Sequence, residues 1–154
     1  MAEAQIPEGV SADYENVAAR EALTAFTAAP DFAGLAAFLN AAREEYLVVD
    51  VTGAQKKRAT RIRTTRTTKG QPVLPLFTSM AELRAAVPKP SADQVRGAVM
   101  PARQALAMIA SDRFVAAEVN PGTDKLVLLR KFIERTIDDA FADHPLTAED
   151  LESL

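Results

Sequence analysis

Seven cations and no acid fall within residues 56–69: Lys56, Lys57, Arg58, Arg61, Arg63, Arg66 and Lys69. Guanidinium forks and threonine hydroxyls along one extended ribbon are donors suited to phosphates or to an acidic protein face. With residues 58–68 extended, Arg61 and Arg63 share a face with Thr65 and Thr67, while Ile62 points the other way. Between Tyr46 and Phe77 there is no aromatic residue, so the ribbon offers no platform for stacking single-stranded bases. The bland alternative is a solvated hairpin whose cations face the acidic helices of its own chain.

Two further places carry polar groups at expected strand ends. Thr78 and Ser79 follow Phe77 where a strand feeds a helix, and the first backbone N–H groups of a helix can hold an anion. Ser79 also has a plainer duty as the cap of that helix. Asn120 precedes Pro121-Gly122 at another strand end, where open α/β sheets bind ligands. Its amide either faces such a cleft or satisfies the turn, for which Pro121 and a positive-φ Gly122 suggest type II. His144, the single histidine, stands before Pro145 in a polar stretch and reads as solvated. Carboxylates such as Asp50 and Glu118 could serve as acid and base, yet nothing in their spacing singles them out. No glycine-rich phosphate loop, nucleophile elbow or paired metal-histidine motif is present, and without cysteine there is no thiolate nucleophile or zinc-thiolate site. No catalytic residue, metal site or cofactor is expected.

The elements that must position these residues follow from periodicity. Asp13 is a candidate cap for a helix with Tyr14, Val17, Ala18, Ala22, Leu23 and Phe26 on one stripe. Pro30 ends it. Asp31 caps a second helix through Phe32, Leu35, Phe38, Leu39 and Ala42, and Arg43-Glu44-Glu45 reads as its solvated end. Residues 46–51 are short, β-branched and apolar, as a strand buried on both faces should be. Residues 58–68 and 73–77 make a hairpin around Lys69-Gly70-Gln71, with Pro75 requiring an edge position or a bulge. Ser79 and Glu82 have the spacing of a capping box for a helix ending near Val87. A strand at 95–100, a helix from Pro101 through Ile109 and a strand at 114–119 suggest a crossover with parallel strands. A last strand at 125–128 and a helix over 130–141 complete the series.

The expected fold is therefore mixed α/β: one mixed sheet of about five or six strands, a meander over 46–77, a βαβ crossover over 97–119, and two N-terminal helices. Residues 1–12 are expected as a flexible tail, 13–142 as a single domain, and 143–154 as a loosely held acidic tail. The net charge of −3 argues against a protein that coats DNA. The acidic, interrupted start excludes a secretory signal, and no apolar run reaches the roughly 20 residues needed to span a bilayer. A cytoplasmic address and no membrane contact are expected.

Three stretches of this chain resemble the SseB N-terminal domain family, named for enhanced serine sensitivity. They are residues 35–39 through Tyr46-Leu47-Val48-Val49, the run Gly70-Gln71-Pro72-Val73-Leu74-Pro75-Leu76-Phe77-Thr78-Ser79 with Glu82-Leu83, and Val119-Asn120-Pro121-Gly122 with the closing helix. Together they cover about residues 34–141. The resemblance implies an α/β domain with this element order and an association or regulatory role. It carries no agreed catalytic residues. The expected function is thus a non-enzymatic binding or regulatory module acting through protein–protein contact, including self-association, with the basic hairpin as contact surface. The alternatives are a nucleic-acid binder using that hairpin, and a metabolite sensor or enzyme with a pocket near Thr78, Ser79 and Asn120.

Overall fold

A computed structural model describes residues 13–51, 65–87, 95–111 and 113–154 of the 154-residue chain. Two helices open it, α1 (Val17–Ala28) and α2 (Phe32–Arg43). Asn16, not Asp13, caps α1: its side chain accepts from the Ala19 N–H at 3.0 Å. Asp31 caps α2 as expected, accepting from the Gly34 N–H at 2.6 Å. The apolar stripes bury Leu23 from α1, and Leu35, Phe38 and Leu39 from α2.

Strand β1 (Tyr46–Asp50) is buried on both faces. Leu47, Val49 and Val51 enter the main core, while Val48 joins a smaller cluster with Phe77, Met80, Leu83, Val95 and Val99. The remaining strands are β2 (Thr65–Arg66), β3 (Pro72–Leu76), β4 (Gly97–Pro101), β5 (Ala116–Val119) and β6 (Leu126–Leu129). Between them lie α3 (Met80–Ala85) and α4 (Ala102–Ala107); α5 (Arg130–Thr136) and α6 (Ala148–Glu152) follow β6.

The strands do not form one mixed sheet. They divide into a two-stranded sheet, β1-β4, and a four-stranded sheet in the order β2-β3-β5-β6. The expected meander over 46–77 is not the pairing of the described residues: β1 pairs antiparallel with β4 and β2 with β3, while 58–64 of the expected strand 58–68 lie outside the described residues. The expected crossover over 97–119 is replaced as well. The parallel pair is β3 with β5, so the connection between them spans α3, β4 and α4.

Pro75 accounts for much of this division. Leu76 C=O accepts from the Asn120 N–H on the β5 side, whereas Phe77 exchanges both backbone bonds with Val48 of β1 on the other. By alternation residue 75 faces that second, outer side. There β3 pairs with β2 at 72–73 and bridges β1 at 77. Proline has no N–H to donate; β3 is an interior strand rather than the expected edge, and Pro75 is accommodated in the gap between its two partners on that side.

The hairpin turn at 67–71 is as expected. Gly70 has φ 80°, its N–H bonds Thr67 C=O at 2.9 Å, and Thr67 N–H bonds Gln71 C=O at 2.8 Å. A type I turn followed by a left-handed glycine matches this pattern.

The C-terminal residues 143–154 are not loosely held. They fold back as α6 against α2, burying Leu146 and Leu151 in the main core. Asn40 of α2 clamps the Leu146 backbone, accepting from its N–H at 2.8 Å and donating to its C=O at 3.0 Å. Arg43 is likewise not at a solvated helix end. It is 3% exposed, and its guanidinium donates to the carbonyls of Thr136 (3.2 Å), Phe141 (2.9 Å) and His144 (3.0 Å). The stripe of α2 continues from Leu39 to position 43, one helical turn on, which carries this arginine inward to collect the carbonyl at the end of α5 and two beyond it. Helix α5 stops at Thr136, short of the expected Phe141, and a 3-10 turn over Asp139–Phe141 follows.

Among the described residues no helix is long and apolar enough to cross a membrane.

Candidate functional site

The polar junction at the carboxyl ends of β3 and β5 brings together the predicted residues Thr78, Ser79 and Asn120. All three are buried. Asn120 has φ 51°, a left-handed conformation that asparagine tolerates better than most residues. Its Oδ1 accepts from Thr78 N–H at 3.0 Å. Its Nδ2 donates to Thr78 Oγ1 at 3.1 Å and to an Asp124 carboxylate oxygen at 2.9 Å. The backbone C=O of Asn120 accepts from the N–H groups of Thr123 and Lys125, both at 3.0 Å.

This amide therefore does not point into a ligand cleft; it fastens the β5–β6 turn to the start of α3. Nor is the turn type II, because Gly122 is not among the positive-φ glycines. Glycine is required at 122 by close approach instead: a Cβ there would lie 2.9 Å from both Ala85 O and Ala86 Cα. Ser79 Oγ accepts from Glu82 N–H at 3.1 Å, which is half of the expected capping box. The Glu82 carboxylate turns away to accept from Thr123 Oγ1 at 2.6 Å. The groups at this junction hydrogen-bond one another across two loops.

A second polar knot lies at the start of α1. The Tyr14 hydroxyl donates to Tyr46 C=O and accepts from Tyr46 N–H, both at 3.0 Å, and the two rings meet edge to face. Burial pushes the phenol pKa above its ordinary value, against the opposing pull of the Tyr46 backbone hydrogen bond. This too is anchorage.

Of the basic ribbon, Lys56, Lys57, Arg58, Arg61 and Arg63 lie outside the described residues. Arg66 donates to Gly70 C=O at 2.7 Å and braces its own turn. Lys69 is exposed. His144 is exposed, with its ring edge-on to Phe141. Among the described residues no group of three histidine or carboxylate side chains is close enough to hold a metal ion.

An open apolar groove is a feature the sequence did not single out. Strand β6 is an outer strand of its sheet, and beside it runs a groove of about 400 Å³ walled by Phe26, Phe32 and Leu35 on one side and Phe132 at the end. Val127 and Leu129 are 56% and 49% exposed, and Phe32 is 39% exposed. The Phe32 and Phe132 rings lie 6.4 Å apart. Phe32 and Phe132 were legible only as members of helical stripes, which is also how core residues look.

The backbone of β6 is oriented toward this groove. Arg130 N–H bonds Val115 C=O, and the register pairs Ala117 with Leu128 and Val119 with Leu126. Odd-numbered residues of β5 therefore face β6, and the antiparallel alternation leaves Val127 and Leu129 turned outward. An outer strand with outward donors, acceptors and apolar side chains is a surface that other chains can pair with.

A mixed α/β domain with an internally bonded polar junction and an open apolar strand edge is the class that fold and site define. The sequence profile of the SseB protein N-terminal domain matches residues 19–135, and the chain belongs to that family. No curated protein and no solved structure shows a significant match to it.

Proposed function

We propose that this chain is a non-catalytic association module of the cytoplasm, which holds another protein through the apolar groove beside β6. The observation that carries the reading is the coincidence, along one four-residue strand, of half-exposed Val127 and Leu129 with outward backbone groups and the Phe26–Phe32 wall. Isolated surface leucines need no explanation, but contiguous apolar surface of this kind marks interaction sites. The engagement of Thr78 and Asn120 with each other, and of Ser79 in capping α3, favours this reading over a sensor or enzyme acting at that junction. The basic hairpin, with Lys69 exposed on it, is a second contact surface.

The test uses the tagged chain, a Val127→Asp, Leu129→Asp variant, and an Arg61→Ala, Arg63→Ala, Arg66→Ala variant, each recovered from cross-linked lysate. Proteins held by the native chain and lost from the aspartate variant are the expected result. Retention of the same proteins by both would remove the groove from the proposal. Nucleic acid recovered with the native chain, lost with the arginines and weakened by salt in proportion to the phosphates contacted, would promote the nucleic-acid alternative.

A further inference from the structure

We propose that the partner enters the groove as an extended segment that adds a strand to β6, with apolar side chains at alternate positions and a carboxylate at the end beside Lys125. The proposal rests on the association reading above and specifies the chemistry of what is bound.

Three observations lead to it. The first is the backbone: Val127 offers an outward N–H and C=O, and Leu129 an outward N–H, so main-chain pairing is available along the strand. The second is size. A strand of four residues and a few half-exposed side chains present far less than the roughly 800 Å² that each partner buries in a standard stable interface. A second folded copy docking on this patch alone is thereby disfavoured, whereas strand addition draws much of its affinity from the main chain and needs little area. Side chains that alternate between two faces suit the site, because one face would meet Phe26 and Phe32 and the other the exposed side of the sheet.

The third observation is charge. The acids nearest the strand ends are already engaged, Asp124 by Asn120 and Thr123 and Glu134 by Arg130 at 3.1 Å. Lys125, at the entrance to β6, has no ion-pair partner among the described residues. Lys131 at the other end lies over the Phe132 ring, 5.3 Å from its centre, and donates to the Leu154 C=O at 3.1 Å, while Asp31, which also lines the groove, is engaged in capping α2. The unengaged cation is thus at the Lys125 end, and an incoming strand that ends there in aspartate or glutamate complements it.

The experiment is selection of displayed random peptides of about eight residues, long enough to cover the strand at ~3.4 Å per residue. The synthetic consensus peptide is then titrated onto the full chain. The expected consensus has apolar residues at every second position and an acid at one end. At saturation, hydrogen exchange of the Val127 and Leu129 amides slows. Val127→Pro removes an outward N–H that the sheet does not use, and lowers peptide affinity about tenfold, the worth of one well-made hydrogen bond. Its thermal transition, compared with that of the native chain, verifies that the fold is kept. Lys125→Glu reverses the preference for the terminal acid.

Apolar spacing of three and four, unchanged exchange at Val127 and Leu129, or failure to select any peptide would each overturn strand addition. So would protection of those amides in the absence of peptide in a concentration-dependent dimer, which would assign the groove to a second copy. In all these outcomes, loss of captured proteins from the aspartate variant can still hold, so failure here is separable from failure of the association reading.

Discussion

Asn120 concentrates several demands in one side chain. It must adopt φ 51°, accept from the Thr78 backbone, and donate to both the Thr78 hydroxyl and Asp124. Asn120→Ala leaves a buried N–H and hydroxyl unpartnered and forces alanine into the left-handed region. A loss of about 2–4 kcal/mol is expected in urea unfolding. Asn120→Gly loses the same hydrogen bonds but not the backbone compatibility, and should cost about 1 kcal/mol less. Equal costs would mean that the φ value contributes nothing. The residue was conspicuous in the sequence because asparagine before Pro-Gly marks a turn, but the amide's direction is set by Thr78, 42 positions away. Arg43 presented the opposite difficulty. Beside two glutamates it read as solvated, and only its place one turn beyond Leu39 on the apolar stripe pointed inward.

At the scale of elements, local signals served well and pairing did not. The stripes of α1 and α2, the apolar run of β1 and the glycine of the β2–β3 turn each depend on neighbouring residues, and each element formed where its pattern predicts, except that α1 begins at Val17 and leaves Tyr14 outside it. Which strand lies beside which depends on distant partners: β1 with β4, and β3 with β5. Proximity in sequence favoured a meander, whereas the described residues place β1 beside β4, with a single bridge from Val48 to Phe77.

Helix α6 shows how a capping motif can make a short element depend on pH. Thr147 and Asp150 form a reciprocal capping box. The Thr147 backbone N–H, followed by its hydroxyl and the charge of Arg135, holds the Asp150 carboxyl below its ordinary pKa. A depressed folded-state value means that the stabilisation is present above the unfolded carboxyl pKa and is lost as pH falls through the folded one. Hydrogen-exchange protection of the α6 amides should therefore decline on acidification before that of β5. In Asp150→Asn the acid-dependent part of this decline should disappear. Unchanged acid sensitivity would place its origin elsewhere.

Over the whole molecule, the family match ends at residue 135 while the core continues beyond it. Leu146 and Leu151 complete the surface of α2, and Asn40 and Arg43 bond backbone groups of residues 136–146. A chain cut after Ala142 should lose about 3 kcal/mol or more from the two leucines alone, read as a lower thermal transition and increased binding of a hydrophobic dye. A transition equal to that of the full chain would show that α6 is dispensable. The acidic composition of residues 143–154 concealed this role, since Leu146, Leu151 and Leu154 stand among four acids and make no long apolar stripe.

Arg43 also imposes an order of events on a chain made from its N-terminus. The carbonyls of Thr136 and His144 that receive the guanidinium are 93 and 101 positions further on. Until they emerge from the ribosome, the cation has only its neighbours Asn40 and Glu44 to offset its desolvation, and its burial is disfavoured. Closure over this face of α2 is therefore expected only once the last part of the domain has arrived, and chains stalled before Thr136 should leave the α2 amides open to exchange.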